Sequence, residues 1–111
     1  MAEEKIQQQL GEIGLRYLKR TLGEIGTLRE LLAGLRAGEA SRLKEIEHLS
    51  HKIHGSGAMF GFDALSDQAR EIELIAGSGA ADTPELHAQI EKYLAALEDA
   101  AVTSARERGV Q

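Results

Sequence analysis

Apolar residues recur at spacings of three and four through most of the chain, and that period predicts helices. Leu15, Leu18, Leu22, Ile25, Leu28, Leu32 and Leu35 form one series, within a helix from about Glu12 to Arg36. Leu43, Ile46, Ser50, Ile53, Gly57 and Phe60 form a second, and Leu65, Ala69, Ile72 and Ala76 a third. Leu86, Ile90, Tyr93, Leu94, Leu97 and Ala101 form the fourth. Punctuation separates the series. Gly38 marks a turn, with Ser41 as the expected N-cap of the second helix. Gly61 reads as its stop and Asp63 as the N-cap of the third. Gly77-Ser78-Gly79 closes the third helix. Thr83-Pro84 opens the fourth, with Thr at the cap and Pro where the first turn tolerates it.

Residues 3–10 read as a short helical segment that Gly11 and Gly14 interrupt, either packing across the bundle end or continuing into the long helix, and the polar residues 103–111 as a fraying tail. Short connections favour antiparallel neighbours. The predicted fold is therefore all-α: an up-down antiparallel four-helix bundle with a short extra N-terminal helix. It forms one domain over residues 1–111, in which residues 1–11 are the N-terminal extension.

Composition sharpens this picture. Hydrophobic residues make up 42% of the chain but aromatics only 4%, and the only valines are Val102 and Val110. A core of Leu, Ile and Ala suits packed helices better than a sheet. The net charge of −5 disfavours non-specific binding to nucleic acid. Cysteine is absent, which excludes disulfides and thiolate chemistry and fits a reducing compartment. No apolar run is long enough for a membrane span. The expectation is a cytoplasmic, monomeric helical domain with neither nucleic acid nor membrane as a partner.

The chemistry concentrates in His51-Lys52-Ile53-His54-Gly55-Ser56-Gly57-Ala58. Each residue turns a helix by ~100°. With Ile46 pointing into the bundle, Ser50, Ile53 and Gly57 follow it within ~40°, whereas His51 lies roughly 140° away, facing out. Gly55 and Ala58 share the outer stripe and leave the imidazole beside a flat surface. A mid-helix glycine costs stability, so its place beside an exposed histidine suggests close approach by another protein. Lys44 lies on the same side as His51. Glu47, one turn before His51, is placed to hydrogen-bond one ring nitrogen and leave the other free. Imidazole has a reference pKa of ~6.5, so such a ring is largely neutral and nucleophilic at pH 7, and nucleophilic histidine accepts phosphoryl groups.

The stretch His51-Lys52-Ile53-His54-Gly55-Ser56 resembles the His-x-Leu-Lys-Gly-Ser signature of histidine-containing phosphotransfer (HPt) domains. Phe60-Gly61-Phe62 and Leu65 match the family's turn after the active helix. The resemblance implies that His51 carries a phosphoryl group, taken from an aspartyl phosphate on one receiver domain and passed to another. It implies response-regulator receivers and a hybrid histidine kinase as partners, with Mg²⁺ bound by the receiver and no cofactor or ATP site on this chain. The protein would then be a phosphotransfer intermediate and not an enzyme. His54 stands where the family usually has lysine, so it and Lys44 are the candidate cations for phosphate. Lys52, Gly55 and Ala58 are the candidate docking surface.

Two other readings compete. The bundle would serve equally as an interaction module that docks a receiver or kinase without carrying phosphate, or as a self-associating helical domain. His48, His51 and His54 recur every three residues, as zinc ligands can. They spread over roughly 120° of the helix, and no second His/Cys cluster accompanies them, so no metal is assigned.

Overall fold

The computed structural model describes residues 2–108, apart from the side chains of Gln7, Gln8 and Leu10. Four helices follow in order: α1 (Ala2–Arg36), α2 (Arg42–Met59), α3 (Asp63–Ala76) and α4 (Pro84–Glu107). Each packs on the next, and α4 returns against α1. The contacts set an antiparallel register throughout. Tyr17 meets Ser56 while Glu24 meets Lys52; His54 meets Ser66 while His51 meets Glu73; Gly14 meets Arg108 while Arg29 meets Glu91. These are the helices of the predicted bundle.

The core is aliphatic, as composition required. Among the described residues twelve large side chains are fully buried, including Leu18, Ile25, Leu28, Leu32 and Leu35 of α1 and Ile46 and Ile53 of α2. Burying each contributes about 1.5–3 kcal/mol. That outweighs the glycines in α1, which cost up to ~1 kcal/mol each, and explains why α1 stays helical through them.

Several expectations are corrected. The extra N-terminal helix is not separate, because residues 3–10 continue into α1 without a break at Gly11 or Gly14. Gly14 lies against the side chains of Phe62 and Arg108, which hold the helix there. The α1 seam also differs: Tyr17 and Thr21 are buried, and Leu15 is only half-buried. Tyr17 earns that position by stacking on Phe60 (centroids 4.5 Å apart) and Phe62 (5.6 Å).

Ser41 sits before α2 but adopts helical angles and makes no side-chain cap. The turn is held instead by the Glu39 amide donating to Gly34 O, and by Arg42 bridging Glu39 and Glu45. Those two carboxylates raise the Arg42 guanidinium above its usual range, Glu39 foremost through a side-chain hydrogen bond. Asp63 is the first residue of α3, and the cap position belongs to Phe62, whose amide donates to Gly57 O at 2.8 Å. Thr83 caps α4 as expected, accepting from the Leu86 amide at 3.2 Å. Gly38 and Gly61 have φ of 99° and 81°, the left-handed conformation that their turns require. The tail is helical further than expected: α4 runs to Glu107, Ala105 is buried, and the Arg108 guanidinium lies 4.6 Å over the Phe62 ring. The remainder of the expected tail, residues 109–111, lies outside the described residues.

Candidate functional site

The α2 seam fixes which way the histidine stretch faces. Ile46, Ser50, Ile53 and Gly57 are buried. At Gly57 α2 lies close against α3: a Cβ there would stand 2.9 Å from Leu65 Cδ2 and 3.4 Å from Ser66 Cα. With that face anchored, the helical turn puts His51 outward, its side chain 71% exposed. Gly55 and Ala58 are exposed in the same stripe, and a Cβ at Gly55 would meet nothing within 4 Å.

The ring of His51 is not loose. Its Nδ1 lies 2.6 Å from Oε1 of Glu73, on α3. A carboxylate only accepts, so Nδ1 carries the proton and donates. Nε2 is then left as the unprotonated nitrogen of the neutral ring. Charge assistance makes such a bond roughly twice as strong as a neutral one, and the Glu73 side chain, only 23% exposed, is held by its surroundings. Glu73 therefore fixes tautomer and ring direction together.

The residue expected in that role was Glu47. Its carboxylate lies instead against Gly77, at the C-terminal end of α3, and it makes no bond to His51. Glu73 gave no local signal, because it is 22 residues from His51 and joins it only through the α2–α3 register.

His54 sits on the flank of the stripe, half-buried. Its Nδ1 is 2.8 Å from Ser66 Oγ and 3.1 Å from Ser66 O, and Ser66 Oγ donates back to His54 O at 2.8 Å. Since the hydroxyl proton is engaged there, His54 Nδ1 must be the donor. Lys52 turns away from the site to pair with Glu24 on α1 at 2.9 Å. Lys44 is exposed and has no partner among the described residues. Ser56, within the motif, donates to Lys52 O at 2.9 Å and so accepts from the Tyr17 hydroxyl at 2.8 Å, which ties α2 to α1. His48 is exposed. His87 is largely covered and bonded to Asp82, away from the site. No group of three residues placed to hold a metal ion occurs among the described residues.

A family model, the Hpt domain, matches residues 16–100, which is most of the chain. The chain belongs to the Hpt domain family. Hpt domains are helical bundles and phosphocarrier modules of phosphorelays, with no ATP-binding catalytic site of their own. The match covers all of α2 and α3, and with them the whole His51–Glu73 pair. It begins at Arg16, so the first turns of α1 lie outside the Hpt match. No curated protein and no solved structure gives a significant match. No described helix is long and apolar enough to cross a membrane.

Proposed function

We propose that His51 Nε2 is the phosphoryl carrier of this Hpt domain, accepting the group from an aspartyl phosphate on one receiver domain and passing it to the aspartate of another. The observation that carries this reading is the Nδ1–Glu73 bond on an exposed side chain, which leaves Nε2 as the free nitrogen of the neutral ring.

The step balances without an outside acid or base. The Nε2 lone pair forms an N–P bond as the acyl-phosphate O–P bond breaks, and the aspartate leaves as a carboxylate. The ring, holding Nδ1–H and Nε2–phosphoryl together, becomes cationic. Glu73 faces that charge at hydrogen-bond distance. Transfer to the second receiver reverses the sequence. The chain supplies position and a docking face. The receiver supplies the acidic pocket and its Mg²⁺, so this chain needs no cofactor of its own.

Gly55 and Ala58 would let a receiver approach closely, and Lys44 would steer it. His54 would offer Nε2–H to the phosphate when protonated. Response-regulator receivers and a hybrid kinase are the proposed partners, in the cytoplasm.

The test is incubation with receivers carrying labelled aspartyl phosphate. Native protein should take up label, and His51→Gln should take up none. If native protein is never labelled by any cognate phosphorylated receiver, the carrier role is wrong; binding without labelling would identify a docking module instead.

A further inference from the structure

The first turns of α1 stand outside the bundle. With 35 residues α1 is ~52 Å long, against ~36 Å for the 24 residues of α4, and the molecule is 56 Å in its longest dimension. None of the described side chains before Gly14 is buried. A lone helical segment of this length is marginal in water, and Gly11 weakens it further. Yet it is patterned: positions 6, 10, 13 and 17 are apolar at spacings of four, three and four. Ile6 is 54% exposed and Ile13 45%. At residue 17 this stripe runs into a cleft of about 270 Å³ lined by Ile13, Arg16, Tyr17, Arg20 and Phe60. The cleft has an apolar floor and a basic rim. The stripe begins, at the other end, in an acidic turn with Glu3 and Glu4.

We propose that this face joins two copies of the chain, packed antiparallel about a two-fold axis between residues 11 and 12, with Ile6 of each copy seated in the other's cleft. Charge decides the orientation. A parallel pair would set acidic turn against acidic turn and arginine against arginine. The antiparallel pair sets Glu3 and Glu4 of one copy beside Arg16 and Arg20 of the other, twice over by symmetry. The same acidic turn disfavours an anionic membrane as the occupant, since such surfaces attract uniformly basic faces. Beyond α1 the contact reaches only Phe60, at the C-terminal cap of α2, nine residues and ~13 Å along the chain from His51. Phosphotransfer and self-association are therefore separate readouts.

Sedimentation equilibrium on the full chain, from micromolar to near-millimolar concentration, tests this. The native protein should show a monomer–dimer equilibrium, and Ile6→Glu should weaken it by about tenfold or more, the scale of a lost apolar anchor. Two charge-reversed proteins give the sharper test. Glu3→Arg with Glu4→Arg should be monomeric alone, as should Arg16→Glu with Arg20→Glu, and an equimolar mixture should form a heterodimer. Circular dichroism and His51 labelling would show that each variant is folded. A native chain that stays monomeric throughout overturns the proposal and leaves the face to a different partner. A native dimer whose charge-reversed variants fail to pair when mixed overturns it as well.

Discussion

Glutamine at position 73 would keep the shape of the side chain that holds His51 and remove its charge. Nδ1–H would still find an oxygen, but the cationic ring formed on phosphorylation would lose its counter-charge. Glu73→Gln should slow transfer about ten- to a hundredfold, the range seen when orienting partners of ligating histidines are lost, with little change in receiver affinity. Glu73→Ala should go further and return the neutral ring to a mixture of tautomers, read by ¹⁵N NMR of the His51 imidazole. A merely structural glutamate would lower the melting temperature and leave the tautomer alone. His54 yields a second prediction. Its Nδ1–H is held by Ser66, so Nε2 can donate to a phosphate only in the cationic ring. Lysine at that position would bring its charge without giving up a bond to Ser66, so phosphorylated His54→Lys should outlive phosphorylated native protein. Equal hydrolysis profiles would remove His54 from the site. The placement of His51, Gly55 and Ala58 was legible in the sequence because it depends only on the rotation per residue of one helix. The partners of His51 and His54 were not, because both lie on α3 and no spacing within α2 encodes the offset between two helices.

The two motif glycines behave oppositely at the level of the helix. Gly57→Ala would drive a methyl against Leu65 and the Ser66 backbone, and should cost about 1–3 kcal/mol. Gly55→Ala meets open space, and should stabilise α2 by roughly 0.5–1 kcal/mol while crowding the face on which a receiver would dock. Urea denaturation of both variants, beside their labelling rates, separates packing from docking. Helix ends were read unevenly. Thr83 caps α4 through its own hydroxyl, a local event that sequence discloses. The start of α2 depends on Arg42 reaching Glu39 and Glu45, and the start of α3 on a bond from Phe62 back to Gly57, which no capping residue announces. In α1, Gly14 signalled a break that packing against Phe62 and Arg108 overrides, while the helix also runs unbroken through Gly11. Between α1 and α4, Arg29 bridges Glu91 and Glu98, and its guanidinium is raised above its usual range chiefly by the hydrogen bond to Glu98. All three side chains are partly exposed, so the bridge orders the interface more than it stabilises it.

As a whole the molecule is a closed bundle with a helical arm. The bundle encloses a core of fully buried leucine and isoleucine side chains, and the arm exposes Ile6 and Ile13. If the arm pairs with a second copy, amide hydrogen exchange over residues 2–13 should be fast in dilute solution and slow markedly on concentration, while the buried segments of α2 and α4 stay protected in both. Concentration-independent exchange in the arm would argue against pairing. The bundle was legible from periodicity alone, since four seams with short connections leave few arrangements. The arm was legible as helix but not as continuous with α1, because its continuity depends on contacts made further along the chain.

The close approach at Gly57 also acts as a ruler for the chemistry two turns away. The imidazole and the carboxylate bonded to it belong to different helices, so their separation is an interhelical spacing, and Gly57 leaves α3 room that a methyl group would crowd. A substitution that never touches phosphate, receiver or His51 would still be felt there as a stretched hydrogen bond. The aim of the His51 ring is thus tied to the seam beneath it, and a change in the core would be read out at the surface.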